Sequence, residues 1–111
     1  MKNENTEYEK FAQSIYQTLL DNEDVKNINV QHNVKIGGQS GCKHQIDVYW
    51  EFEIANISHK VAIECKNYTS EIPISKVRDF SSVLDDIGNI RGIMVTKKGF
   101  QSGALKFAKS K

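Results

Sequence analysis

Proline is all but missing from this chain, which has only Pro73, and that scarcity excludes the polyproline segments and proline-rich linkers that separate domains. Cysteine is nearly as rare. Cys42 and Cys65 are too few for a disulfide-stapled scaffold, and without a second cysteine cluster they do not make a zinc site. Both read as free thiols of a reducing compartment. No apolar run approaches the roughly 20 residues that a membrane-spanning helix needs. The start, Met1-Lys2-Asn3-Glu4-Asn5, lacks the basic start and apolar core of a signal peptide. The expected location is therefore the cytoplasm, with no membrane partner. Neither sign of charge is in excess: 15 Lys and Arg against 14 Asp and Glu give a net charge of +1, so the whole-chain field offers no argument for nucleic acid. A local basic patch, Lys97-Lys98, Lys106, Lys109 and Lys111, reads most simply as a solvated helix face and tail.

What is present is an ordinary globular balance, 39% hydrophobic and 26% charged over 111 residues, which fits one domain spanning residues 1–111 with a single packed core. Tyr8, Phe11, Ala12, Ile15, Tyr16, Leu19 and Leu20 recur at helical spacing within Asn3 to Asp21, a stretch free of Pro and Gly, and predict a first helix. Asn29 to Ile36 alternates weakly and ends at Gly37-Gly38, the signature of a strand entering a loop. The polar loop runs to Lys43. His44 to Phe52 alternates clearly, placing Ile46, Val48, Trp50 and Phe52 on one face and Gln45, Asp47, Tyr49 and Glu51 on the other. A turn near Ala55-Asn56-Ile57-Ser58 leads to a third strand, His59 to Asn67, and thus to an antiparallel hairpin. Beyond Pro73 a stripe of Ile74, Val77, Phe80, Ser81, Leu84 and Ile87 predicts a second helix that stops at Gly88. Ile90 to Thr96 is a short buried strand, and Phe100 to Lys109 a last helix with Ala104, Phe107 and Ala108 inward. A strand, crossover helix and strand normally make a parallel pair. The expected fold is therefore an α/β three-layer sandwich on a mixed sheet of about four strands.

Chemistry concentrates on strands two and three. Glu64 and Lys66 flank Cys65 and share one face of the third strand, opposite Val61, Ile63 and Cys65. With eight Glu and thirteen Lys in the chain, about one Glu-x-Lys arises by chance, so the spacing alone carries little. An ordinary ion pair on a half-exposed sheet is one reading. The other takes in Asp47 from the neighbouring strand, flanked by Gln45 and Tyr49. Two acids and an ammonium in one patch suit phosphodiester hydrolysis. Hard cations such as Mg²⁺ take one or two carboxylates and keep waters, and a nearby ammonium orients a water or stabilises growing charge. Charged groups in a central strand are seldom retained unless paired or liganded.

The element order, with Gln45-Ile46-Asp47 on strand two and Glu64-Cys65-Lys66 on strand three, resembles the PD-(D/E)xK nuclease superfamily, specifically its Mrr-like restriction endonuclease branch. The resemblance covers nearly the whole chain. It extends to the Gly-rich loop before the Asp strand, to Lys66-Asn67-Tyr68, and to Val95-Thr96 followed by Gly99-Phe100-Gln101-Ser102-Gly103-Ala104. It implies a restriction-endonuclease-like fold and a Mg²⁺-dependent DNA endonuclease of restriction or resolvase type, with Mn²⁺ as a substitute. By the same resemblance Asp47, Glu64 and the backbone carbonyl of Cys65 are metal ligands and Lys66 is the catalytic lysine. A first-helix acid matches Glu9, with Glu7 as an alternative. Gln101 faces the site or the DNA unless it only caps its helix. Lys43, Lys97 and Lys98 are candidate phosphate contacts. Gln45 stands where the superfamily name has Pro. The branch usually continues into a fifth strand after the last helix, so a shortened or cut chain, with apolar surface left to favour a homodimer, is expected. The competing functions are a DNA-binding module of the same fold without turnover and a small protein-interaction domain.

Overall fold

The computed structural model describes residues 4–21 and 28–111. Its elements run α1 (Glu4–Asp21), β1 (Gln31–Gly37), β2 (Lys43–Ile54), β3 (Ile57–Lys66), α2 (Ile74–Ile87), β4 (Arg91–Thr96) and α3 (Ser102–Lys109). This is the order expected, with boundaries shifted by a few residues. Asn3, the expected first residue of the first helix, lies outside the described residues.

The sheet is mixed, in the order β1-β2-β3-β4. β1 pairs antiparallel with β2, and β2 antiparallel with β3. Ala55 and Asn56 join β2 to β3 as a two-residue turn with φ 53° and 65°, the left-handed pair that continues the twist of a hairpin. β3 and β4 are parallel, Ala62 beside Gly92 and Cys65 beside Val95, which requires the crossover that α2 supplies.

Helices cover both faces. On one, Ala12 of α1 packs with Val30, Val48, Trp50, Val61 and Ile63; on the other, Phe80 and Ile87 of α2 pack with Ile46, Tyr49 and Ala62. α3 lies beside α2 through Ile72, Val77 and Ala104. Gly92 is what lets α2 settle onto β4: a Cβ there would stand 2.3 Å from Leu84 Cδ1 and 2.9 Å from Phe80 Cε2. Among the described residues no helix is long and apolar enough to cross a membrane.

Several details differ from the expected pattern. β4 is not a buried strand: at the edge of the sheet it exposes Arg91, Gly92 and Ile93 and half-buries Met94, Val95 and Thr96. Tyr49, expected on the polar face beside Asp47, is buried in the core against α2, because a helix covers that face of the sheet too. Only one of the two apolar rows of α1 reaches the core, through Ala12, Tyr16 and Leu20, while Phe11 (63%), Ile15 (41%) and Leu19 (54%) stay exposed. Small Ala12 brings the helix close to the sheet and Tyr16 tilts against Trp50, ring centroids 5.5 Å apart, so the adjacent row turns away. Ala108 is exposed as well, because the short α3 turns only Ala104 and Phe107 inward. On β2, Ile46 packs with α2 and not with Val48 and Trp50. The face changes at Asp47.

Candidate active site at the open end of the sheet

The antiparallel run of β2 against β3 brings the start of β2 beside the end of β3, so Asp47 meets Glu64 and Cys65. The β2–β3 ladder ends at Val48 and Ile63. Just beyond it the Asp47 carboxylate takes the place of a backbone acceptor: the Cys65 N–H donates to Asp47 Oδ2 at 2.8 Å. Asp47 is thus aimed sideways at the neighbouring strand, not simply outward on the polar face that alternation predicts.

Glu64 and Lys66 share a face, with Lys66 Nζ 3.5 Å from Glu64 Oε2 and the two side chains 19% and 25% exposed. Burial, then a hydrogen bond to Asp47 and its negative charge, push the Glu64 carboxyl up to about 8, against the opposing pull of Lys66. Glu64 therefore favours its protonated form near neutral pH, because burial and a neighbouring carboxylate both disfavour its negative charge. One ammonium is too little. That shortage, in a set of hard oxygen donors, fits a divalent cation. Among the described residues no three His, Cys, Asp or Glu side chains converge as a metal cluster. A two-carboxylate site completed by carbonyl and water oxygens matches the way Mg²⁺ is usually held.

Around this core the sequence candidates separate. Glu9 lies on the α1 side, where its Oε1 is 2.8 Å from His32 Nε2. Its charge reaches Cys65, whose thiol is pushed up to about 12, mainly by burial and then by Asp47, Glu9 and Glu64. Gln101 precedes α3, is exposed, and makes no side-chain cap, so the capping role is not the one it plays. Lys43, the first residue of β2, and Lys97 and Lys98, just past the end of β4, are exposed at this end.

Two local arrangements escaped the sequence reading. The Lys66 ammonium lies over the Tyr68 ring, 5.7 Å from its centroid, within cation–π range. Asp86, at the end of α2, clamps the Gly-rich loop: its Oδ1 accepts from Ser40 N (2.9 Å) and its Oδ2 from Ser40 Oγ (2.7 Å), with His44 Nε2 at 2.7 Å. The only sequence signal for the first was an aromatic two residues after Lys66. For the second there was none, since the partners are 42 and 46 positions apart.

The profile of a restriction endonuclease family, Mrr_cat, matches residues 2–111. The chain belongs to the Mrr restriction endonuclease family. This Mrr domain is accordingly of nuclease type, with the restriction-endonuclease-like fold. Among solved structures it is similar to one described as the crystal structure of protein of unknown function AF1548, at a TM-score of 0.69 and 18% identity. The match covers 97% of the Mrr domain and 54% of that chain, so the domain spans about half of its structural relative, and the likeness concerns the fold alone. No curated protein matches.

Proposed function

We propose that this Mrr domain, residues 1–111 as one catalytic unit, hydrolyses phosphodiester bonds of DNA with Mg²⁺, for which Mn²⁺ can substitute, in the cytoplasm. The observation that carries the reading is the Cys65 N–H bond to Asp47 Oδ2, 2.8 Å long. It draws an acid of β2 to the Glu64–Lys66 pair of β3 and makes one oxygen-rich patch of three separate charges.

Asp47 and Glu64 would hold the cation, with the Cys65 carbonyl as a further oxygen. When bound, such a cation polarises the phosphate and lowers the pKa of water. The protein's own residues do the rest. Lys66, fixed between the Glu64 carboxylate and the Tyr68 ring, orients the attacking water and stabilises the negative charge that grows on the phosphate in the transition state. Glu9, held by His32, adds negative charge from the α1 side. Exposed Lys43, Lys97 and Lys98 would bind backbone phosphates, the contacts that supply most sequence-independent affinity, and the uncapped Gln101 side chain is available to DNA. A cut through both strands in one encounter calls for two such sites, which a homodimer would supply.

The test is incubation of supercoiled and linear DNA with the protein and Mg²⁺ or Mn²⁺, beside Asp47→Ala and Lys66→Ala. Cleavage abolished by both substitutions is the expected result. Binding without cleavage would make this a DNA-binding module of the same fold, and absence of both would leave a protein-interaction domain.

A further inference from the structure

We propose that Asn33 is the positioning residue that places Asp47, an inference that rests on reading Asp47 as part of the active site. Asn33 stands opposite Asp47 in the β1–β2 register, between the pairs His32–Val48 and Val34–Ile46, yet this one pair is missing from the ladder. Its φ is 59°, a left-handed conformation that Asn tolerates and β-branched residues avoid. Both strands change face at this point. On β1, His32 reaches Glu9 of α1, whereas Val34 and Ile36 pack on the α2 side. On β2, Val48 packs with Ala12 of α1 and Ile46 with Phe80 and Ile87 of α2. In a regular strand residues two apart share a face, so the left-handed residue has reversed the alternation on β1 and its partner strand has followed.

The reversal frees Asp47. Unpaired with β1 and beyond the end of the β2–β3 ladder, its carboxylate swings across to the Cys65 N–H. Asn33 itself is exposed, so it contributes little to the core. Its side chain accepts a hydrogen bond from Gln45 Nε2, which ties the kink to β2. Its role lies in its backbone.

Glycine adopts positive φ freely, whereas valine and, less strongly, alanine oppose it. The experiment compares wild type with Asn33→Gly, Asn33→Ala, Asn33→Val and Asp47→Ala by two readouts, amide hydrogen exchange at Cys65 and Mn²⁺ affinity. Asn33→Gly is expected to match wild type in both. Asn33→Val is expected to speed Cys65 exchange about tenfold and weaken Mn²⁺ by roughly 10–100-fold, the usual effect of losing a residue that orients a ligand, with Asn33→Ala between. Should Asn33→Val not fold, Asn33→Ala against Asn33→Gly decides. Wild-type exchange at Cys65 in the folded Val or Ala variant overturns the proposal. If Asp47→Ala leaves Mn²⁺ affinity unchanged, the active-site reading fails, while the Cys65 amide still decides whether Asn33 places Asp47.

Discussion

At the scale of residues, the Asp47–Glu64 pair carries the proposed chemistry and weakens the fold. An unfolded glutamate ionises near its ordinary value of 4.5, whereas burial and Asp47 hold folded Glu64 up at about 8. Below pH 4.5 both states carry the proton. Between 4.5 and 8 the folded state alone keeps it, so folding becomes less favourable as pH rises through that window. Glu64→Gln removes this dependence. The metal-free variant is expected to melt higher than wild type at pH 8 and to lose that advantage at pH 4, as read by thermal melts. About 1 kcal/mol of relief corresponds to roughly 4–8 °C in a domain near this size. Tyr68 permits a second residue-scale test. With the ring serving as a seat for the Lys66 ammonium, Tyr68→Phe is expected to cut DNA at the wild-type rate. Tyr68→Leu should lose about tenfold in cleavage rate with Mn²⁺ affinity unchanged; a titration and a single-turnover time course separate the two. Alternation along β3 was enough to put Glu64 and Lys66 together. It could not show Asp47 reaching sideways, because that depends on a backbone conformation at Asn33 that no periodicity encodes.

At the scale of elements, the sequence was most informative where one face is apolar and one polar. The α2 stripe ending at Gly88 and the β2–β3 hairpin follow directly from such patterns. α1 was harder, because its two apolar rows look equivalent in sequence, and only the close seat of Ala12 selects one. Least legible was the clamp of Asp86 on the Gly-rich loop, which joins residues distant in the chain. Chiefly His44, and then Ser40, hold the Asp86 carboxyl below its ordinary 3.8. The clamp therefore stands above that value and is lost as pH falls through the lower folded one. Asp86→Asn is expected to speed amide exchange at Ser40 about tenfold at neutral pH, with little change in overall melting, since the clamp is at the surface. Unchanged exchange at Ser40 would show that the loop is held in another way.

At the scale of the whole molecule, one end of the sheet carries the Gly-rich loop, the ends of β3 and β4 and the approach to α3, together with exposed Lys43, Lys97 and Lys98. Near-neutral total charge conceals this arrangement, which is why composition gave no hint of nucleic acid and only the element order and the family match did. The central claim is that Asp47, Glu64 and Lys66 form one cation-dependent hydrolytic site. It is tested most directly by a cleavage time course on supercoiled DNA at saturating Mn²⁺, run for wild type, Asp47→Ala and Lys66→Ala, each shown to be folded. The account predicts nicked or linear product from wild type only with the cation present, and a loss of about 100-fold or more in either variant, the scale expected for removing a group that stabilises transition-state charge. Cleavage at the wild-type rate by either variant would contradict it.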